Sequence, residues 1–179
     1  MQTNWNRSFE LVMKSEGGFT DNDKDPGNWL ADGRKGCTNL GVTQKAWEAF
    51  VCKQVTHDEM RALTHEDVKP FYKKEYWDAV KGDSFFSGID YLLFDFSVNG
   101  GVSRSIKLAQ SAVGAEVDGH LGPLTLSAIN AMNPNVFIEK FSDAKEQFYK
   151  SLITFPTFGK GWLARLDRVE NEAKDMLNG

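Results

Sequence analysis

Cysteine and histidine are scarce here, with two and three copies among 179 residues. Cys37 and Cys52 have no C-x-x-C spacing and no histidine pattern beside them, which predicts free thiols rather than a disulfide frame or a redox pair. His57, His65 and His120 are scattered among polar residues and fit no ligand template, so a metal-dependent amidase or peptidase finds no support, and neither metal nor cofactor is expected. A serine hydrolase would need a G-x-S-x-G elbow, which is missing, and Cys37 has no identifiable histidine partner. Long apolar runs are missing too: the stretch around Tyr91–Phe96 is short and carries an acid, so stable membrane insertion is not expected. Nor is there an excess of base. The net charge is −4 and no run of Lys and Arg occurs, which argues against nucleic acid as a partner. Trp5, Asn6, Arg7 and Glu10 stand where a secretory signal would be apolar, so synthesis in the cytoplasm is expected.

What is present is ordinary globular composition, 41% apolar and 26% charged. No repeat or low-complexity linker interrupts it, and Gly, Pro and capping residues supply the punctuation. Trp5, Phe9, Val12 and Met13 recur at helical spacing, which predicts a first helix from about Asn4 to about Glu16, stopped by Gly17-Gly18. From Phe19 to Thr43 the periodicity vanishes in a segment dense in Asp, Asn and Gly, expected to be irregular with a short hairpin ending at Leu40–Thr43. Thr43 reads as an N-cap for a helix carrying Trp47 and Phe50, and Thr56 with Glu59 and Thr64 with Asp67 read as capping boxes. Pro70 should kink the next helix or mark its start. A strongly apolar helix from about Gly88 to Val98, ended by Asn99-Gly100-Gly101, is expected to be central and buried. Further helices are expected over Ser103–Val113, Leu124–Met132, a stripe from Phe137 to Leu152, and about Gly161–Leu177. The whole reads as mainly α, with seven or eight helices and minimal strand.

Glu16 is the residue of chemical interest. A helix C-terminus presents the negative end of the macrodipole and favours the protonated acid, so a Glu there costs stability. A protonated carboxyl held rigidly, with side-chain-free Gly17 and Gly18 leaving room for a ligand, suits general-acid cleavage of an acetal. Taken alone, the same pattern also fits a solvated Glu before an ordinary glycine stop.

FELVMKSEGGF from Phe9, then DPG, then TNLGVT, resembles the N-terminal half of glycoside hydrolase family 108, muramidases marked by an EGG sequence after their first helix. FDFSVNGG at Phe94–Gly101, LAQSAVGAEVDGHLGPLTLSAI and FGKGWLARL at Phe158–Leu166 are similar to the C-terminal, peptidoglycan-associated half, so nearly the whole chain is covered. The resemblance implies a lysozyme-like α+β fold with a catalytic half over residues 1–82 and a helical half over 83–179, packed as one compact unit. It implies hydrolysis of the β-1,4 bond between N-acetylmuramic acid and N-acetylglucosamine, with bacterial peptidoglycan as partner. Glu16 is then the acid, Asp25 of the DPG triplet the second carboxylate and Thr38 the residue holding the attacking water, with Asp21, Asp23 and Asp32 competing on the same loop. Here the chain departs from the family: extra residues after Gly27-Asn28-Trp29 separate DPG from Thr38-Asn39.

For the sugar groove, Trp77, Tyr149 and Trp162 are the aromatic candidates and Asn39 and Asn99 the amides. Carboxyl groups about 6.5–9.5 Å apart would invert the anomeric centre and about 5–5.5 Å would retain it; inversion is the favoured expectation. The rivals are a lytic transglycosylase, which uses one Glu but closes the sugar on itself, and a non-catalytic wall-binding module that assists secretion. The resemblance covers phage lysis and bacterial toxin release alike. A monomer is expected, and in either role a protein made in the cytoplasm would reach the periplasm or wall through a holin-like or equivalent route.

Overall fold

The computed structural model describes residues 4–22, 28–30 and 32–178. Among them lie nine α-helices and one small antiparallel hairpin. They fall into two compact units, one of residues 9–75 and the other of residues up to Ser8 with 76–179, so the division comes at Glu75 and Tyr76 rather than after residue 82.

The 9–75 unit begins in the later turns of α1, Trp5–Met13. Phe9, Val12 and Met13 are buried. The α-helix ends three residues earlier than its sequence suggests, and the last turn tightens: Ser15 N–H donates to Val12 O and Glu16 N–H to Met13 O, at 2.9 and 3.3 Å. Thr38–Asn39 (β1) and Val42–Thr43 (β2) pair with Thr38 opposite Thr43, and Thr20 adds an isolated bridge to Thr38. The caps follow the sequence closely. Thr43 Oγ1 accepts from Ala46 N–H at the start of α2, Gln44–Val51. Thr56 with Glu59 and Thr64 with Asp67 form reciprocal capping boxes on α3, His57–Arg61, and α4, His65–Tyr72. Helix α4 runs through Pro70 and then widens into a π-turn at Lys73–Trp77. Pro70 offers no N–H to the Glu66 carbonyl one turn back, and the ladder resumes by Lys73, whose N–H donates to Lys69 O and Pro70 O. Trp47, Phe71 and Tyr72 form the aromatic centre, with Phe71 set edge-on to Trp47 and Tyr72.

In the other unit α5, Ile89–Gly100, is the buried central helix its composition predicts, with every residue from Ile89 to Ser97 buried. α6 (Val102–Val113), α8 (Pro134–Ser151) and α9 (Phe155–Asn178) pack on it, and α7 (Pro123–Ala131) packs on α6. α9 starts six residues before the sequence suggests. Its glycines are packing positions rather than stops: a Cβ on Gly159 would stand 2.6 Å from the Phe155 ring. Pro156 lies in the first turn, where a missing N–H leaves no bond unmade.

Charge is buried inside this apolar cluster. Asp95 Oδ2 is 3.2 Å from Lys145 Nζ, and Oδ1 is 2.8 Å from the Arg165 guanidinium; Asp95 and Lys145 side chains are each 1% exposed. Burial pushes the Asp95 pKa up, but the two cations outweigh it and hold the carboxyl below its ordinary range. Asp95→Asn would leave Lys145 buried without its counter-charge and should cost about 3–5 kcal/mol, read as a lower urea midpoint at unchanged slope.

Asp90, at the start of α5, accepts from Gly88 N–H and Tyr91 N–H through Oδ1. Burial nevertheless raises its pKa to about 6. The folded state therefore holds this proton more tightly than the unfolded chain, so the contribution is full below about pH 4 and lost as pH rises through about 6. Asp90→Asn, which keeps the accepting oxygen, should gain up to about 3 kcal/mol relative to the parent between about pH 4 and pH 7, measured by urea unfolding at both values.

Candidate active site

The hairpin brings the site together within the 9–75 unit. Only Leu40 and Gly41 separate β1 from β2, and both lie at positive φ, +50° and +74°. That is the signature of a type I′ turn, whose twist matches a two-residue hairpin. Leucine there is unusual, and left-handed backbone costs an L-residue with a side chain about 1–2 kcal/mol. Tyr72 meets that strain from α4, its buried hydroxyl donating to Leu40 O at 2.9 Å.

Gly41 is the crowded point. A Cβ built on it would lie 2.5 Å from Glu16 Oε2 and 2.5 Å from Tyr72 Oη. Twice that distance is the greatest separation the two oxygens can have. The Glu16 carboxylate is thus seated against an exposed glycine of the turn and beside a buried phenol, while Glu16 itself is half-buried. Gly17 and Gly18 are exposed, neither has positive φ, and a Cβ on either would meet nothing within 4 Å. The chain's own packing and backbone do not require glycine at 17 or 18. What the two glycines provide is an open surface next to the acid.

Thr38 is fixed on three sides. Its backbone N–H and C=O pair with Thr20, both at 2.8 Å, and its hydroxyl donates to Asn28 Oδ1 at 2.9 Å. Asn28 is 1% exposed, and its Nδ2 donates to Asn22 O, which turns Oδ1 toward Thr38. Having given its proton to Asn28, the Thr38 oxygen can offer only lone pairs to a neighbour. Asn28 and Tyr72 are the two residues that sequence reasoning missed. One lies just before the inserted residues and the other in an apolar stripe, where periodicity does not register a hydroxyl.

Asn39 does not face a groove. It is 5% exposed and its amide donates to Met60 O at 2.8 Å and Arg61 O at 3.4 Å, which ties β1 to the end of α3. Of the acids on the loop, Asp25 and Asp23 lie outside the described residues. Asp32 is bound by Arg34 Nε at 2.7 Å, and Asp21 is exposed.

In the other unit the structure gathers three of the four remaining candidates. Tyr149 donates its hydroxyl to Asn99 Oδ1 at 2.8 Å and stacks on Trp162 with ring centres 5.3 Å apart. Phe158, 54% exposed, extends the stack from Trp162 at 5.9 Å. Asn99 is exposed and Trp162 half-buried, so the cluster is open to solvent at both residues. Trp77 is different and corrects the expectation of a sugar contact. It is fully buried, donates Nε1–H to Asp83 at 2.9 Å and packs edge-on against Trp5 and Phe94. Its helical spacing marked core, and no ring face is left for a ligand.

Among the described residues no group of three His, Cys, Asp or Glu could hold a metal ion, and no helix is long and apolar enough to cross a membrane. A carboxyl set against an open glycine surface on a mainly α, lysozyme-like scaffold is an arrangement suited to acid cleavage of a glycosidic bond. The family comparisons agree: the glycosyl hydrolase 108 model matches residues 9–101, and that of a predicted peptidoglycan domain matches residues 104–167. The chain belongs to glycosyl hydrolase family 108 and is a peptidoglycan hydrolase. Among solved structures, Brucella abortus SagA is similar at 34% identity and a TM-score of 0.82, covering 98% of this chain and 96% of that chain. No curated protein matches the chain.

Because Gly41 faces both oxygens, Gly41→Ala is a direct probe of the site. The added methyl should displace Glu16 and Tyr72 and strain a left-handed position, costing about 1–2 kcal/mol of stability. Turbidity clearance of a wall suspension should fall at least tenfold while the circular dichroism spectrum stays helical.

Proposed function

We propose that this protein hydrolyses the β-1,4 bond between N-acetylmuramic acid and N-acetylglucosamine, with Glu16 as general acid. The observation that carries the reading is the Glu16 carboxylate beside Gly41, on a surface that Gly17 and Gly18 leave open. In this mechanism the Glu16 proton passes to the bridging oxygen as its bond to the anomeric carbon breaks. A water attacks that carbon, and the Asp25 carboxylate, assigned by resemblance, takes the water's proton. Thr38 accepts a hydrogen bond from the same water, a role supported by the donation of its own proton to Asn28. Attack by water in one displacement inverts the anomeric centre. Asn99, Tyr149 and Trp162 would bind glycan through the exposed Asn99 and the half-buried Trp162 indole.

The same reading places the protein's action at the wall, as a monomer reaching it by a holin-like or equivalent route, for lysis or for local opening that releases other proteins.

Glu16→Gln keeps the shape of the side chain and removes its proton. The variant should fold, bind purified sacculi and lose at least about a hundredfold in release of reducing sugar. Muropeptide mass spectrometry reads reaction and bond together. Near-parental turnover by the variant would refute Glu16 as the acid, anhydro-sugar ends one water lighter would indicate a transglycosylase, and intact strands from the parent would leave a wall-binding module.

A further inference from the structure

The loop between α6 and α7 doubles back along α6, held mainly by Gln110, while Lys81 Nζ donates to Leu121 O at 2.8 Å. Gln110, 1% exposed, donates to Asp118 Oδ1 at 2.6 Å and to His120 O at 3.1 Å, and its Oε1 accepts from Gly119 N–H at 2.9 Å. Gly119, at φ +82°, sits so close to α6 that a Cβ would stand 2.9 Å from Ser103 Oγ and 3.1 Å from Lys107 Cε. Two hollows flank this point, one lined by Asp118 and His120 on either side of Gly119 in sequence and the other by Ser103 and Lys107, which its backbone approaches. The larger, about 420 Å³, opens between the end of α6 and the start of α7 and includes Glu116, Asp118 and Leu124 in its wall. The smaller, about 220 Å³, opens at the start of α6 and is lined in part by Ser103, Arg104 and Lys107.

Charge is sorted between them. The larger hollow has two acids and no Lys or Arg in its wall, while the smaller has two bases and no acid. The bond from Gln110, with that from His120 N–H, holds the Asp118 carboxyl below its ordinary range, so it stays an anion. Glu116 and Lys107 form no ion pair among the described residues. Leu124 stands 87% exposed and Val117 53%, apolar side chains that the fold itself does not use.

We propose that this two-signed surface binds the peptide stem of peptidoglycan. The side-chain ammonium of the stem's diamino acid lies against Glu116 and Asp118, its aliphatic chain against Leu124, and the stem carboxylates face Lys107 and Arg104. The inference rests on the wall-hydrolase reading for its choice of ligand, and the surface lies within one unit while Glu16 belongs to the other. A zwitterion with an apolar spacer matches the pattern, and a loop already fixed by Gln110 needs little ordering on binding.

The test is calorimetric titration of the whole chain with a synthetic stem tripeptide, Ala-γ-Glu-Lys, with the same peptide acetylated on its side-chain amine, and with stem-free glycan strands. The free-amine peptide should bind, more weakly as salt is added. Acetylation, Glu116→Gln and Leu124→Ser should each weaken it about tenfold, with both variants melting like the parent. Equal affinity for the two peptides, undiminished affinity in both variants, or heat from stem-free glycan with none from the free-amine peptide would overturn the proposal. Cleavage of stem-free glycan by the unaltered protein is scored in parallel: lost cleavage with peptide binding intact sinks the catalytic reading, and lost peptide binding with cleavage intact sinks this one.

Discussion

The absence of a side chain at residue 41 is the constraint on which the candidate site depends. The two-residue turn needs positive φ at both central positions, and glycine meets that need at the second without strain. The same atom-poor position lets the Glu16 carboxylate and the Tyr72 hydroxyl close on the turn from opposite ends of the 9–75 unit's sequence. Tyr72 then anchors the turn through the carbonyl of Leu40, the strained residue. Conformation, packing and acid placement all converge on one glycine. Backbone strain kept at such a point is characteristic of sites where geometry serves chemistry rather than stability.

The second unit is organised by a different interaction. Asp95, on the central helix, holds Lys145 of α8 and Arg165 of α9 by charge in an apolar interior. Such a cluster is a weak source of net stability, because desolvation offsets much of the attraction. Its effect is on register: three helices can satisfy the three charges together in few relative positions. The same α8 and α9 place Tyr149 and Trp162 in their stack, each about one turn away from the cation on its own helix. The match to glycosyl hydrolase 108 runs to residue 101 and so includes α5, although α5 packs with α6, α8 and α9. Family boundary and packing boundary are therefore different divisions of one chain.

Local signals were legible in the sequence wherever the responsible interaction spans only a few residues. The Thr43 cap and the Thr56 and Thr64 boxes read correctly because each bond closes within three residues. The buried α5 read correctly because a helix apolar on all sides has nowhere else to go. The early start of α9 did not, since the helix tolerates its glycines only through packing of the Phe155 ring over Gly159. The aromatic candidates separated for the same reason. Trp77 and Trp162 look alike as letters, yet one is enclosed by Trp5 and Phe94 and the other is only half-buried.

By itself the sequence determined the helical class, the caps, the buried central helix and the identity of Glu16 as the residue to watch, because periodicity, capping and the E-G-G string are written in neighbouring positions. Tertiary structure alone decided what stands beside that acid. Tyr72 and Gly41 reach Glu16 from 56 and 25 positions away, and Asn28 orients Thr38 across the inserted loop. Contacts at that range depend on how the whole unit packs, and no local pattern of side chains encodes them.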